Sequence, residues 1–476
     1  MAITGVTAGA LTPSPRKQTL ASSYIDFAGG SDSAGINDWR QQYLPDLMAK
    51  EAEIFGNRTV SGFLSQVGAE EAMASDQVVW SEQGRLHLHY TNCTVSTNTI
   101  TIVKETDGAD SVDTHGIRPG DMVMISDADA TIKAFVNAVA ADTITVLPYT
   151  HANIAGAGVA STTNVSVLVY GSEFVKGVVG RNGANTPTFK SYTNKPIILK
   201  DKYEISGSDA SQIGWVEVAG EEGQSGYLWY LKAEGDTRAR FTDYLEMAMI
   251  ESVSATVTVT STITDAGGTI EGTEGLFAAI EARGNQTSGV TGVNAATDLA
   301  EFDAILAEFD KKGAIEENMM FVDRTTALAI DDMLASMNSY GAGGTSYGVF
   351  DNSEDMALNL GFSGFRRGSY DFYKSDWKYL NDAATRGGMI DTVGNVRGVI
   401  IPAGVSSVYD QNLGKNMKRP FLHVRYRASE TESRKLKTWV TGAVGAVTSD
   451  LAAMEVHYFS ERCLVVQGAN NFMLMN

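Results

Sequence analysis

Two histidines stand two residues apart in the stretch QVVWSEQGRLHLHYTN, at His87 and His89. Alternation along a strand running through Leu86, Leu88 and Tyr90 would place both on its other face, the beginning of a metal site. Such a site needs three or four ligands, and no other cysteine or histidine stands at a spacing that completes one. Asp331 and Asp332 are adjacent in a helical pattern, so their side chains diverge and form no proton-sharing dyad. The pairs Glu221/Glu222 and Glu316/Glu317 fall at helix starts and loops, where charge is solvated. The stretch GAGGTSYG (341–348) has the glycines of a phosphate loop but no Gly-Lys-Ser/Thr ending, and no Gly-x-Ser-x-Gly elbow occurs. No catalytic residue, metal ligand or cofactor is therefore assigned, and the expectation is a chain that is not an enzyme.

What chemistry remains is electrostatic. From Lys176 to Glu204 the chain carries Lys176, Arg181, Lys190, Lys195, Lys200 and Lys202 against Asp201 and Glu204, a net of +4. From Glu217 to Glu251 it carries eight carboxylates against Lys232, Arg238 and Arg240, a net of −5. The cationic stretch is extended in character, with two limbs of about twenty residues that could each reach ~60 Å. A ribbon of that length cannot all pack on its own subunit. The acidic stretch is helical from Tyr227 to Ser254, ~40 Å long, with Tyr227, Tyr230, Leu231, Phe241, Tyr244, Leu245 and Ala248 recurring at threes and fours.

Composition bounds the partners. The chain has 476 residues, a formal net charge of −20 and 43% hydrophobic residues. That charge opposes general nucleic-acid binding and attraction to an anionic membrane, yet suits a wall that encloses nucleic acid without adhering to it. Two cysteines, Cys93 and Cys463, cannot make a disulfide framework. No signal-peptide pattern opens the sequence, and no apolar run approaches 18 residues.

Between Cys93 and Tyr170, short β-branched runs such as NTITIV, DMVMISD and DTITVL alternate with turns, which predicts a small all-β module. TDLAEFDAILAEFDKKG predicts a helix with Asp298 and Glu301 at capping-box spacing, Leu299, Phe302, Ile305, Leu306 and Phe309 as its apolar stripe, and Gly313 as its stop. Strand–turn–helix follows in ENMMFVDRTTALAIDDMLASMN, and the tail alternates as strands in KLKTWVTGAV, MEVHYFSERCLVV and NNFMLMN. The fold class is α+β.

This order of elements resembles the major capsid protein of tailed bacteriophages, the Hong Kong 97-type fold, within which the combination resembles crAss-like phages. The resemblance rests on order and texture across nearly the whole chain outside the β-module. It implies an N-terminal arm at 1–36, an N-terminal part of the core at 37–82, an E-loop ribbon at 83–92 with 171–218, and an inserted β domain at 93–170. A peripheral domain at 219–296 would hold the spine helix, seen at 222–254. An axial domain at 297–429 and closing peripheral strands at 430–476 complete the chain.

The resemblance further implies self-assembly as hexamers and pentamers of an icosahedral shell around double-stranded DNA, without sequence-specific binding. Portal, scaffolding and decoration proteins would be partners. The location would be the virion capsid, assembled in the bacterial host cytoplasm. In that setting Lys190, Lys195, Lys200 and Lys202 of the ribbon, with Ile197, Leu199 and Tyr203 for apolar contact, are expected to cross Glu234, Asp236, Asp243 and Glu246 on the helix of an adjacent subunit. An encapsulin-type nanocompartment shell resembles the same fold but is generally much shorter. A modular β-rich surface or adhesin protein would explain the β-module but not the helix–strand alternation after Asp298.

Overall fold

The computed structural model describes residues 59–67, 69–105, 115–159, 163–181, 189–211, 218–219, 225–226, 229–259, 268–313, 315–338, 364–389, 395–403, 405–410, 415–443 and 447–476. The expected arm, the loop at 341–348 and the pair Glu221/Glu222 lie outside them. The chain divides into two compact units, one of residues Gln77–Thr193 and one of Met1–Asp76 with Asn194–Asn476.

The first described elements are α1 (Phe63–Val67) and β1 (Ala69–Met73). The smaller unit follows with β2 (Val78–Gln83), β3 (His89–Ser96), β4 (Thr99–Thr101), β5 (Lys104–Glu105), β6 (Asp121–Ser126), β7 (Thr131–Val139), β8 (Thr143–Pro148) and β9 (Val165–Ser172). Strand β10 (Phe189–Asn194) returns to pair with β2 as a two-stranded ribbon. The others form a sheet in the order β4-β8-β7-β6-β9-β3-β5, and β3 also pairs with β4, so the sheet closes into a barrel. Closure leaves few strand edges open. The alternating runs fill its interior: Val123 and Ile125, Ile132, Ala134 and Val136, and Ile144 and Val146 are all buried together.

The barrel is wider in sequence than the expected 93–170. Those limits fall inside β3 and β9, and Tyr90 is buried in the same core as Cys93. Residues 89–92, expected in the ribbon, are barrel wall because pairing with β9 begins at His89. The strand expected at Leu86–Tyr90 is also shorter. The chain bends at Leu86 and His87, and Leu86 is exposed.

The larger unit resumes with β11 (Ile197–Ser206), α2 (Trp229–Glu251), α3 (Leu276–Arg283), β12 (Asn285–Thr287), α4 (Ala295–Lys312), β13 (Glu317–Val322) and α5 (Arg324–Asn338). It continues with β14 (Gly364–Arg367), β15 (Tyr370–Asp376), β16 (Gly398–Pro402), β17 (Leu422–Arg427), β18 (Lys437–Gly442), β19 (Ala453–Val466) and β20 (Met473–Met475). One sheet runs β1-β17-β19-β11, with β18 also paired to β19. A second, of six strands, runs β12-β20-β16-β13-β15-β14.

The six-stranded sheet lies between two hydrophobic cores, which explains the uninterrupted apolar runs of β16 and β20. Phe321, Val399 and Leu474 face the core that includes Met249, Ile280 and Trp377. Their neighbours Met320, Ile400 and Met473 face the core built from Phe302 and Phe309 of α4 and Ile330 of α5. The stripe on α4 is as expected, and Gly313 ends the helix at φ +67°. The cap is not. Asn294, not Asp298, accepts the N–H of Thr297 at 3.0 Å. Asp298 and Glu301 instead hold the preceding loop, by accepting the N–H of Gly292 at 2.8 Å and of Thr291 at 2.7 Å. The long helix α2 buries Phe241, Leu245 and Met249 at four-residue spacing, whereas Tyr244 of the expected stripe is exposed.

Candidate functional site

The residues with candidate catalytic chemistry do not converge. His87 lies in the bend before β3 and His89 at the strand's first position, so no shared strand face carries them. Asp331 is buried and paired with Lys374 of β15, whereas Asp332 is exposed on the same helix. Glu316 and Glu317 are solvent-exposed. Among the described residues no group of three or more His, Cys, Asp or Glu is placed to hold a metal ion. Both cysteines are buried thiols, and burial pushes Cys93 to about 11 and Cys463 to about 12. No helix among the described residues is long and apolar enough to cross a membrane.

The acidic helix does something the sequence did not announce. Asp243 Oδ1 accepts the N–H groups of Val60 at 3.1 Å and Ser61 at 2.9 Å. One turn on, Glu246 accepts the N–H groups of Gly62 and Leu64, both at 2.6 Å. Four backbone donors leading into α1, which no intrahelical carbonyl satisfies, thus find carboxylates on α2. Desolvation raises the Glu246 carboxyl above its ordinary range, partly offset by those N–H donors. Phe63 completes the attachment by stacking on Trp377 at 4.4 Å and meeting Phe321 edge-on at 4.7 Å.

The second limb of the expected ribbon is likewise held at home. All ten residues of β11 pair antiparallel with β19, from Ile197 opposite Arg462 to Ser206 opposite Ala453. Strand alternation then sorts the side chains. Leu199 and Tyr203 pack against Phe241 and Leu245 of α2, and Ile197 packs against the core that holds Met249. The lysines take the open face. Lys202 Nζ donates to Glu204 and Glu455, both at 2.9 Å, and these bonds hold its ammonium above the usual range. Lys195 pairs with Glu271, and Lys200 lies 5.7 Å over the ring of Phe459. Lys190 is exposed on β10.

Part of the ribbon thus packs on its own chain: β19, fourteen residues long, pairs with all ten residues of β11. Through Leu199 and Tyr203, β11 lies against the long helix of its own chain. Asp243 and Glu246 already carry the N-terminal connection, while Glu234 and Asp236 are half-buried nearer the start of α2.

The open surface lies elsewhere. Strand β18 flanks only the first half of β19, and from Lys437 to Val440 every residue is exposed, on both faces of the sheet. Leu436 and Val440 are exposed apolar side chains, and Trp439, stacked on His457 at 5.2 Å, is 39% exposed. Trp439 and His457, with Phe459, Lys200 and Lys202, border a shallow groove of about 530 Å³. The run KLKTWVTGAV announced a strand, but a strand's sequence does not tell how much of it a neighbour covers.

No family model and no curated protein matches this chain. It is similar over most of its length to solved phage structures. The capsid structure of the cyanophage P-SCSP1u shares 10% identity over 94% of this chain and 96% of that one, with a TM-score of 0.38. The asymmetric unit of the bacteriophage PhiM1 mature capsid shares 8% identity over 95% and 98%, also at 0.38. The structure titled Mycobacterium phage Ogopogo shares 12% identity over 90% and 96%, at 0.41.

Proposed function

We propose that this chain is a structural subunit that assembles with copies of itself into a closed shell, as the major capsid protein of a tailed bacteriophage enclosing double-stranded DNA. The observation that carries the proposal is β18, an edge strand with Trp439 and Val440, and Leu436 just before it, open to solvent in a sheet whose central strand is otherwise buried. Edges of this kind are usually covered or blunted in a monomer. A net charge of −20 accords with an inner wall that repels a packaged polyanion and so leaves it free to move. Within this reading Lys190 and Lys200, which no carboxylate pairs among the described residues, remain available to a neighbouring subunit. Lys195 and Lys202 act first within their own chain.

Sedimentation velocity of the purified chain across protein concentration and ionic strength tests the proposal. Discrete large homomers are expected, such as capsomers or shells. A folded chain that sediments as a monomer throughout, also when co-expressed with the proteins of its own gene neighbourhood, overturns it.

A further inference from the structure

The outer wall of the barrel carries two exposed tyrosines held in place by their surroundings. Strand β9 meets β6 through a bulge: Gly171 stands opposite Met122 and Val169 opposite Val123, which leaves Tyr170 unpaired between them. Bulges re-aim side chains. Val169 packs against the barrel core, whereas Tyr170 is turned outward and is 41% exposed. Tyr149, the first residue after β8, is 49% exposed. Its N–H donates to the Lys133 carbonyl at 3.2 Å and its hydroxyl to Glu173 at 2.7 Å. Desolvation, then Glu173 and the neighbouring Tyr170, raise that hydroxyl to about 12. Two rings fixed in this way lose little conformational entropy when a ligand lies on them.

The rim of the pair is polar and of both signs. Lys133 lies 6.0 Å over the Tyr170 ring, and among the described residues no carboxylate pairs with it. Glu173 is exposed and has a second carboxylate oxygen beyond the one that holds Tyr149. A hydrogen-bond donor and an acceptor thus flank two aromatic faces. Phe174, also exposed, is engaged elsewhere, against Gly120 and under Arg181 at 5.9 Å.

Size and charge indicate the ligand. With Leu147, which is 48% exposed, the two tyrosines offer about 300 Å² of contact surface. A stable protein partner covers about 800 Å² per side, so the platform suits something smaller. A sugar ring presents C–H groups on a face, which stack on an aromatic ring, and hydroxyls at its edge, which both donate and accept. An uncharged ligand also meets no repulsion from a chain of net charge −20, as a polyanion would. We propose that Tyr149 and Tyr170, with Lys133 and Glu173 at their rim, form a binding platform for an uncharged polysaccharide. The inference does not rest on the shell-subunit reading.

Retention of the full chain on beads carrying β-glucan, mannan, galactan or chitin tests it, with alginate beads as the polyanion. Retention on at least one of the four uncharged polysaccharides is expected, persisting in high salt. The combined variant Tyr149→Ala and Tyr170→Ala should lower it roughly tenfold or more. Its unfolding midpoint should match wild type, because both rings lie on the surface. Tyr170→Phe keeps the stacking face and should still bind. No retention on any of the four, retention on alginate alone, or full retention of the double-alanine variant overturns the inference. So does protection of Tyr149 and Tyr170 from hydroxyl-radical labelling in assembled material, which would mean that protein covers the platform.

Discussion

The carboxylate of Glu246 accepts the backbone N–H of Leu64 at 2.6 Å, across 182 residues of sequence. Together with Asp243, three residues earlier on α2, it ties the segment entering α1 to the longest helix described. The segment Val60–Leu64 is thereby fixed to α2 at a defined point.

Glu246→Ala should destabilise the chain by about 2 kcal/mol in denaturant unfolding, because two N–H groups, that of Leu64 buried, lose their acceptor. A change within experimental error would show that water replaces the carboxylate at no cost.

The same residue carries a pH dependence. Its carboxyl is raised in the folded state, with desolvation as the leading cause, so the fold binds its proton more tightly than the unfolded chain does. Stability contributed by this proton is fully present below the unfolded value and is lost as pH rises through the raised folded value. Relative to Glu246→Gln, which does not titrate, wild type should gain stability as pH falls from 7 toward 4.5. Denaturant midpoints of both proteins across that window check it, and a difference that is flat or slopes the other way contradicts it.

Lys374 and Asp331 form an ion pair in which both side chains are largely buried, and Lys374 also donates to the Ala327 carbonyl at 3.1 Å. Removing one partner leaves the other charge uncompensated. Asp331→Ala and Lys374→Met should each cost about 3 kcal/mol, and the double variant clearly less than the sum. Additive losses in a double-mutant cycle would mean that the two side chains act independently.

The closed barrel has its own core, whose members all belong to the smaller unit. A fragment spanning residues 77–193 should fold by itself and unfold cooperatively in a thermal scan. A fragment lacking β3, beginning at Thr97, should not, because β3 bridges β9 and β4 to close the ring. Cooperative unfolding of the shorter piece would show that closure is dispensable.

These elements also show what a linear sequence discloses. Helix α4 was legible because its stripe from Phe302 to Phe309 and its Gly313 stop are local patterns. Its cap was misplaced because Asp298 and Glu301 have capping-box spacing, whereas the side chain that accepts the Thr297 N–H belongs to Asn294, one turn earlier. The barrel strands were legible by alternation, but their limits depend on pairing between residues as distant as Tyr90 and Val167. Strand β11 was recognisable as extended, but its partner lies at the other end of the chain. The roles of Asp243 and Glu246 were hidden for the same reason: a carboxylate that receives distant backbone donors looks, in sequence, like a solvated helix charge.

Electron microscopy of the chain purified from cells that express it bears most directly on the central claim. The account predicts closed, thin-walled homomeric particles or ring-shaped capsomers. Fields containing only monomer-sized particles, from protein that is demonstrably folded and held under conditions that promote assembly, would contradict it.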